Sequence, residues 1–124
     1  MRSTLLLVIV FSIQAYASRV IDATNLTTDL ADNLGFDVIK TQDKFGLTIE
    51  LKGPSELDGS CKPLAAGHFV IKNDEEVSAF IGSAHLSEPQ SISFIADVNN
   101  TELVAFIDYQ CESTSKRYTV SSNE

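Results

Sequence analysis

The sequence predicts an all-β domain: an antiparallel β-sandwich or partly closed barrel of about six to seven short strands, with room for one short N-terminal helix. Three observations carry this. From Phe45 onward apolar residues recur with period two. Glycine, proline and asparagine break that pattern at short intervals. And both cysteines of the chain lie downstream of an export-type leader. At 124 residues the chain has room for one domain.

The leader comes first. Arg2 is a positive n-region, Thr4 to Ile13 (TLLLVIVFSI) is apolar, and Ala15-Tyr16-Ala17 has the small-x-small form that signal peptidase reads. As a helix the apolar run is roughly 15 Å long, about half of what a bilayer crossing requires. Residues 1–17 are therefore expected to be a signal peptide and residues 18–124 the exported domain, periplasmic or extracellular. No membrane insertion is expected after cleavage.

The alternation is clearest at Phe45, Leu47, Ile49 and Leu51, with Gly53-Pro54 as its stop. Phe36 to Lys40 (FDVIK) is expected to pair with it across Thr41 to Lys44. Thr24 to Leu34 places Leu26, Leu30 and Leu34 at i, i+4 and i+8, a short amphipathic helix with Gly35 as its stop. Ser55 to Gly67 reads as an irregular connection. His68 to Lys72 (HFVIK) is β-branched and aromatic enough for a strand.

Glu76 to Gly82 fits two readings. As a strand it buries Val77, Ala79 and Ile81; as a helix capped by Asn73 or Asp74 it buries Val77, Phe80 and Ile81. The strand is preferred. Further on, Ile92, Phe94, Ala96 and Val98 form one face of a strand that ends at Asn99-Asn100, residues that tolerate positive φ. Leu103, Ala105, Ile107, Tyr109 and Cys111 follow on one face. Val104 and Phe106 are apolar on the other, so this strand is expected to be central. Tyr118 and Val120, after the turn-like Glu112 to Lys116, make a last strand, and the final three segments read as a meander.

Cys61 and Cys111 are expected to form a disulfide, since an even pair in a small exported domain is oxidised. It would tie the Ser55–Gly67 connection to the end of the Leu103 strand.

Charge narrows the function. With 9 basic against 17 acidic residues and a net charge of −8, the chain lacks the basic footprint of a nucleic-acid binder. The same sign argues against a polybasic membrane-surface protein. The histidines number 2, His68 and His85, so a Ser–His–Asp hydrolase would draw on one of them, with Ser83 and Asp108 as ingredients. No G-x-S-x-G elbow is present to place a nucleophile. Zinc on both histidines and an acid would follow no known ligand spacing.

No cofactor is called for. Calcium has candidate ligands in two acidic clusters, Asp29, Asp32 and Asp37, and Asp74, Glu75 and Glu76, though neither follows an EF-hand loop. Asn25 and Asn99 head Asn-x-Thr sequons, glycan acceptors only if the chain passes through a eukaryotic secretory pathway.

The expected function is therefore that of a small exported, disulfide-stabilised, non-catalytic binding module for a protein or envelope component. The contact would run through the Ser55–Gly67 connection and the adjoining strand edges. A structural or assembly subunit using strand-edge pairing is one alternative. A small hydrolase built on His68 or His85 is another.

Overall fold

The computed structural model describes residues 22–83 and 88–123. The expected leader and cleavage site lie outside them, as does His85. The chain runs β1 (Asp22–Asn25), α1 (Thr28–Leu34), β2 (Asp37–Asp43), β3 (Gly46–Lys52), β4 (Lys62–Lys72), β5 (Glu75–Ser83), β6 (Gln90–Ile95), β7 (Thr101–Cys111) and β8 (Thr114–Ser121). A five-stranded sheet of order β1-β8-β7-β4-β5 faces a three-stranded sheet of order β2-β3-β6. The fold is thus an open all-β sandwich with one short helix.

The core is made by the inward rows of both sheets. Leu47, Ile49, Leu51 and Ile95 come from the smaller sheet; Ala66, Leu103, Ala105, Ile107, Tyr109, Tyr118 and Val120 come from the larger. Phe36 closes one end, its ring centroid 5.2 Å from that of Tyr118 and 6.0 Å from that of Tyr109. The central strand is β7, as its two apolar faces require. Phe106 on its outer face is as fully buried as Leu103 on its inner one.

The turns follow from residue type. Asn73 and Asp74 stand at φ 52° and 65° between β4 and β5, the paired positive φ of a type I′ hairpin. Between β2 and β3 the two-residue loop is Lys44-Phe45, with the Phe45 amide bonded to Asp43 Oδ1 at 2.8 Å. Thr27 caps α1 by accepting from the Leu30 amide at 3.2 Å, and Gly35 ends it at φ 87°. The disulfide joins Cys61 to Cys111, binding the entry of β4 to the exit of β7.

Several sequence expectations are corrected. Strand β1, which no alternation signalled, runs parallel to β8. The helix begins at Thr28, and Leu26 is buried ahead of it. The Ser55–Gly67 connection is irregular only as far as Cys61, because β4 starts at Lys62 and is 11 residues long. Phe45 is exposed in its turn rather than buried. The last three segments are not one meander. Strand β6 pairs with β3 in the smaller sheet, whereas β7 and β8 form a hairpin in the larger.

The largest correction is the facing of β6. Ser91, Ser93 and Ile95 point inward, and Ile92 and Phe94 point out. Pro89 is buried and its carbonyl accepts from the Gly53 amide at 3.0 Å, which fixes where the strand enters the sheet. The buried hydroxyls are satisfied: Ser91 Oγ donates to the Gly67 carbonyl at 2.8 Å and lies 3.2 Å from Ser93 Oγ. A one-residue shift in register exchanges the two faces of a strand, so local anchors override an apolar count.

Candidate functional site

Among the described residues, strand β5 is a free edge. It is hydrogen-bonded to β4 on one side, and among the described residues no strand pairs with its other side. An unpaired edge presents a row of backbone N–H and C=O groups, a template for one more strand. Protein edges are commonly guarded by charge, proline or a bulge. Here a bulge between Val70 and Ile71 and the acids Glu75 and Glu76 guard only the first end. From Val77 to Ser83 the strand carries no charge and no proline.

Its side chains make the edge adhesive. Val77, Phe80 and Ile81 are 58%, 60% and 58% exposed. The cross-strand register places Phe80 opposite His68 on the inner face of the sheet and Ile81 opposite Gly67 on the outer face. Strand β6 lies over β4 and β7, and β5 reaches beyond that cover, which leaves Phe80 open on the core side. Complete burial of such a side chain is worth about 1.5–3 kcal/mol, so the strand withholds an appreciable share of its own stabilisation. The preferred strand reading of Glu76–Gly82 is thus correct in kind, but Val77, Ala79 and Ile81 are not buried. The signal in the sequence was Ala79-Phe80-Ile81, apolar on both parities beside a charged turn. It fits neither a half-buried strand nor a helix face.

A second apolar surface follows from the inversion of β6. Ile39, Ile92 and Phe94 are more than half exposed on the outer face of the smaller sheet. The register interleaves Glu50 between Ile39 and Ile92, and Thr48 between Thr41 and Phe94. A charged residue therefore interrupts this face, whereas Val77 to Ser83 of β5 carries none.

The residues considered for chemistry are dispersed. His68 is half-buried on the inner face and stacks on Phe80, with ring centroids 5.9 Å apart and planes at 23°. Asp108 is on the opposite face, where Arg117 Nε and Nη2 donate to its two oxygens at 2.7 and 2.9 Å. The side chain of Ser83 is outside the described residues. Asp29 and Asp32 lie on α1, Asp37 opens β2 opposite Lys52, Asp74 occupies the hairpin turn, and Glu75 and Glu76 begin β5. Among the described residues, no three of histidine, cysteine, aspartate and glutamate gather where they could hold a metal ion.

Both sequon asparagines are exposed. Asn25 ends β1, its side-chain oxygen accepting from Thr119 Oγ1 at 3.3 Å. Asn99 sits in the β6–β7 turn, where its amide donates to Asp97 Oδ1 and its carbonyl accepts from Thr101 Oγ1. That turn is held at its rim by Lys72, whose ammonium meets Asp97 Oδ2 at 3.0 Å and holds that carboxyl below its ordinary pKa of 3.8.

Protein-family models, curated proteins and solved structures were compared with the chain, and none matches it. The assignment of a site therefore rests on geometry, and geometry favours β5.

A groove of about 420 Å³ between α1, β2 and β8 is the nearest rival, floored by Leu26, Ala31, Phe36, Val38 and Val120. Its cation, Lys40, is already bonded to the Ser121 carbonyl at 2.6 Å. Thr27, Thr28, Asp32 and Asp37 also line it, so the groove brings together two of the three acids of the first cluster, but no metal-holding set of three forms there among the described residues.

Proposed function

We propose that the chain is an exported, non-catalytic interaction module that recognises a protein by taking one of its strands onto the free edge of β5. The observation that carries the reading is the unpaired edge itself, bearing Val77, Phe80 and Ile81 open to solvent. In such recognition the backbone ladder supplies affinity and alternate side chains supply selectivity. Here Ile81 would select on the outer face and Phe80 on the inner one, with Val77 at the bulge beside them. The disulfide and the leader-like N-terminus support an oxidising compartment. The acids Glu75 and Glu76 disfavour a partner strand that sets carboxylates against that end.

Amide exchange tests the reading. In the dilute isolated protein, the amides of residues 77–83 that face away from β4 exchange fast. On adding an envelope or secreted-protein fraction from the source organism they become protected, and Ile81→Lys abolishes that protection. Slow exchange of these amides in the isolated, dilute protein would falsify the proposal, because the edge would then already be covered.

A further inference from the structure

We infer that the strand taken up by β5 is the β5 of a second copy, paired antiparallel about a two-fold axis at Ala79 so that two larger sheets become one. The inference rests on the edge reading above and names its occupant. The argument is one of charge and shape along a single strand, Glu75–Ser83.

An isologous contact must be complementary to itself. With Ala79 facing its own copy, Val77 stands opposite Ile81 and Ser78 opposite Phe80. On the outer face Ala79 meets its own copy, and Ile81 of each chain meets the bulge residue Val77 of the other. On the inner face the large Phe80 rests beside the small Ser78. Directly opposed side chains are about 4.5–5.5 Å apart at Cβ, close enough for every one of these pairs to touch.

Charge then selects the direction. All the charge of β5 lies at its first end, on Glu75 and Glu76. A parallel in-register pairing would set these acids against their own copies. The antiparallel pairing sets Glu76 opposite Gly82 and Glu75 opposite Ser83. It separates the two Glu76 residues by about 20 Å at ~3.3 Å per residue, well past a Debye length of about 8–10 Å. The bulge leaves Val77 opposite no residue of β4, so its rung with Ile81 is distorted and the regular ladder is carried by Ser78, Ala79 and Phe80.

Sedimentation equilibrium of the purified protein over a range of concentration tests the inference. The expected result is a weight-average mass that climbs towards twice the monomer value. Ile81→Lys and, independently, Val77→Lys hold it at the monomer value, with an unchanged far-UV circular dichroism spectrum. Ala79→Cys should cross-link into a covalent dimer on mild oxidation, and Glu75→Cys should not, its two copies lying about 26 Å apart along the strands.

A dimer that survives both lysine variants overturns the inference, because the contact then lies on another face. A protein that stays monomeric while the outward amides of residues 77–83 exchange freely overturns the second copy but leaves the open edge standing. A monomer in which those amides are protected overturns both.

Discussion

The guanidinium of Arg117 lies 3.9 Å above the ring of Phe106 while it grips both oxygens of Asp108. The two charged side chains are 15% and 7% exposed, so this pair forms part of the outer layer of the larger sheet. Phe69 stacks on Phe106 at 4.9 Å, and a Cβ on Gly67 would run into the Phe80 carbonyl and crowd the Phe106 ring. Arg117 thus covers an aromatic surface over which no second layer lies among the described residues. Removing one member of a buried pair strands the other, at a cost of about 3–5 kcal/mol. Arg117→Ala should approach that loss in chemical denaturation, and Arg117→Met should lose less because it keeps the cover over Phe106. Combining Arg117→Met with Asp108→Leu should recover most of the remainder. Equal losses from Ala and Met would show that stacking contributes nothing.

The disulfide closes the segment from β4 to β7, so its effect falls mainly on the unfolded chain. For a loop of about fifty residues the chain-entropy model gives about 4 kcal/mol. Replacing both Cys61 and Cys111 by alanine should lower the stability by a corresponding amount and steepen the denaturant slope, because the unlinked unfolded chain exposes more surface. Both cysteines are buried in the core, so reductant should act slowly below the melting transition and quickly within it. Rapid reduction in the native state would place the bridge on a mobile surface instead.

Much of the sandwich was legible because its strands obey local rules. Leu103 to Cys111 alternates without interruption and its second face is apolar at Val104 and Phe106, and it became the central strand. Leu47, Ile49 and Leu51 alternate and are buried, and Gly35 stops the helix. What could not be read depended on distant partners. Strand β1 takes its structure from pairing with β8, a partner more than ninety positions away, and carries no pattern of its own. The inward serines of β6 are specified by the Gly67 carbonyl and by the seat of Pro89. The candidate edge was hidden for a related reason. Val77 and Ile81 have the spacing of core residues, and only the sheet order shows that nothing described lies beyond them.

The facing of β6 gives a direct test of that register. Ser93 is 1% exposed and sits opposite Ile49, so Ser93→Ile overfills a packed space and should cost about 1–3 kcal/mol. Phe94→Thr, on the open face, should change stability by no more than about 0.5–1 kcal/mol, the latter end reflecting its ring over Gly46. The reverse order of these effects would mean that Ile92 and Phe94 face the core. Thermal melts of the two variants suffice to decide it.

Tyr109 offers a test by pH. Its side chain is wholly buried and its hydroxyl donates to the Pro54 carbonyl at 2.8 Å. Gly53 makes the fit, since a Cβ there would run into that hydroxyl. Burial penalises the phenolate and pushes the Tyr109 pKa well above its ordinary 10.0, with the neighbouring Tyr118 adding to the shift. A group whose pKa is raised by folding contributes stability that is complete below its unfolded pKa and is lost as pH rises above it. Stability should therefore be flat in this respect up to about pH 10 and fall beyond it, with alkali unfolding the protein as Tyr109 ionises. In a titration followed at 295 nm, the Tyr109 phenolate signal should appear only together with the unfolding transition. Tyr109→Phe loses the bond to Pro54, worth about 1 kcal/mol at neutral pH, yet should tolerate alkali better relative to its own starting point. Reversible ionisation of Tyr109 in the folded protein near pH 10 would show that its hydroxyl reaches water and not the Pro54 carbonyl.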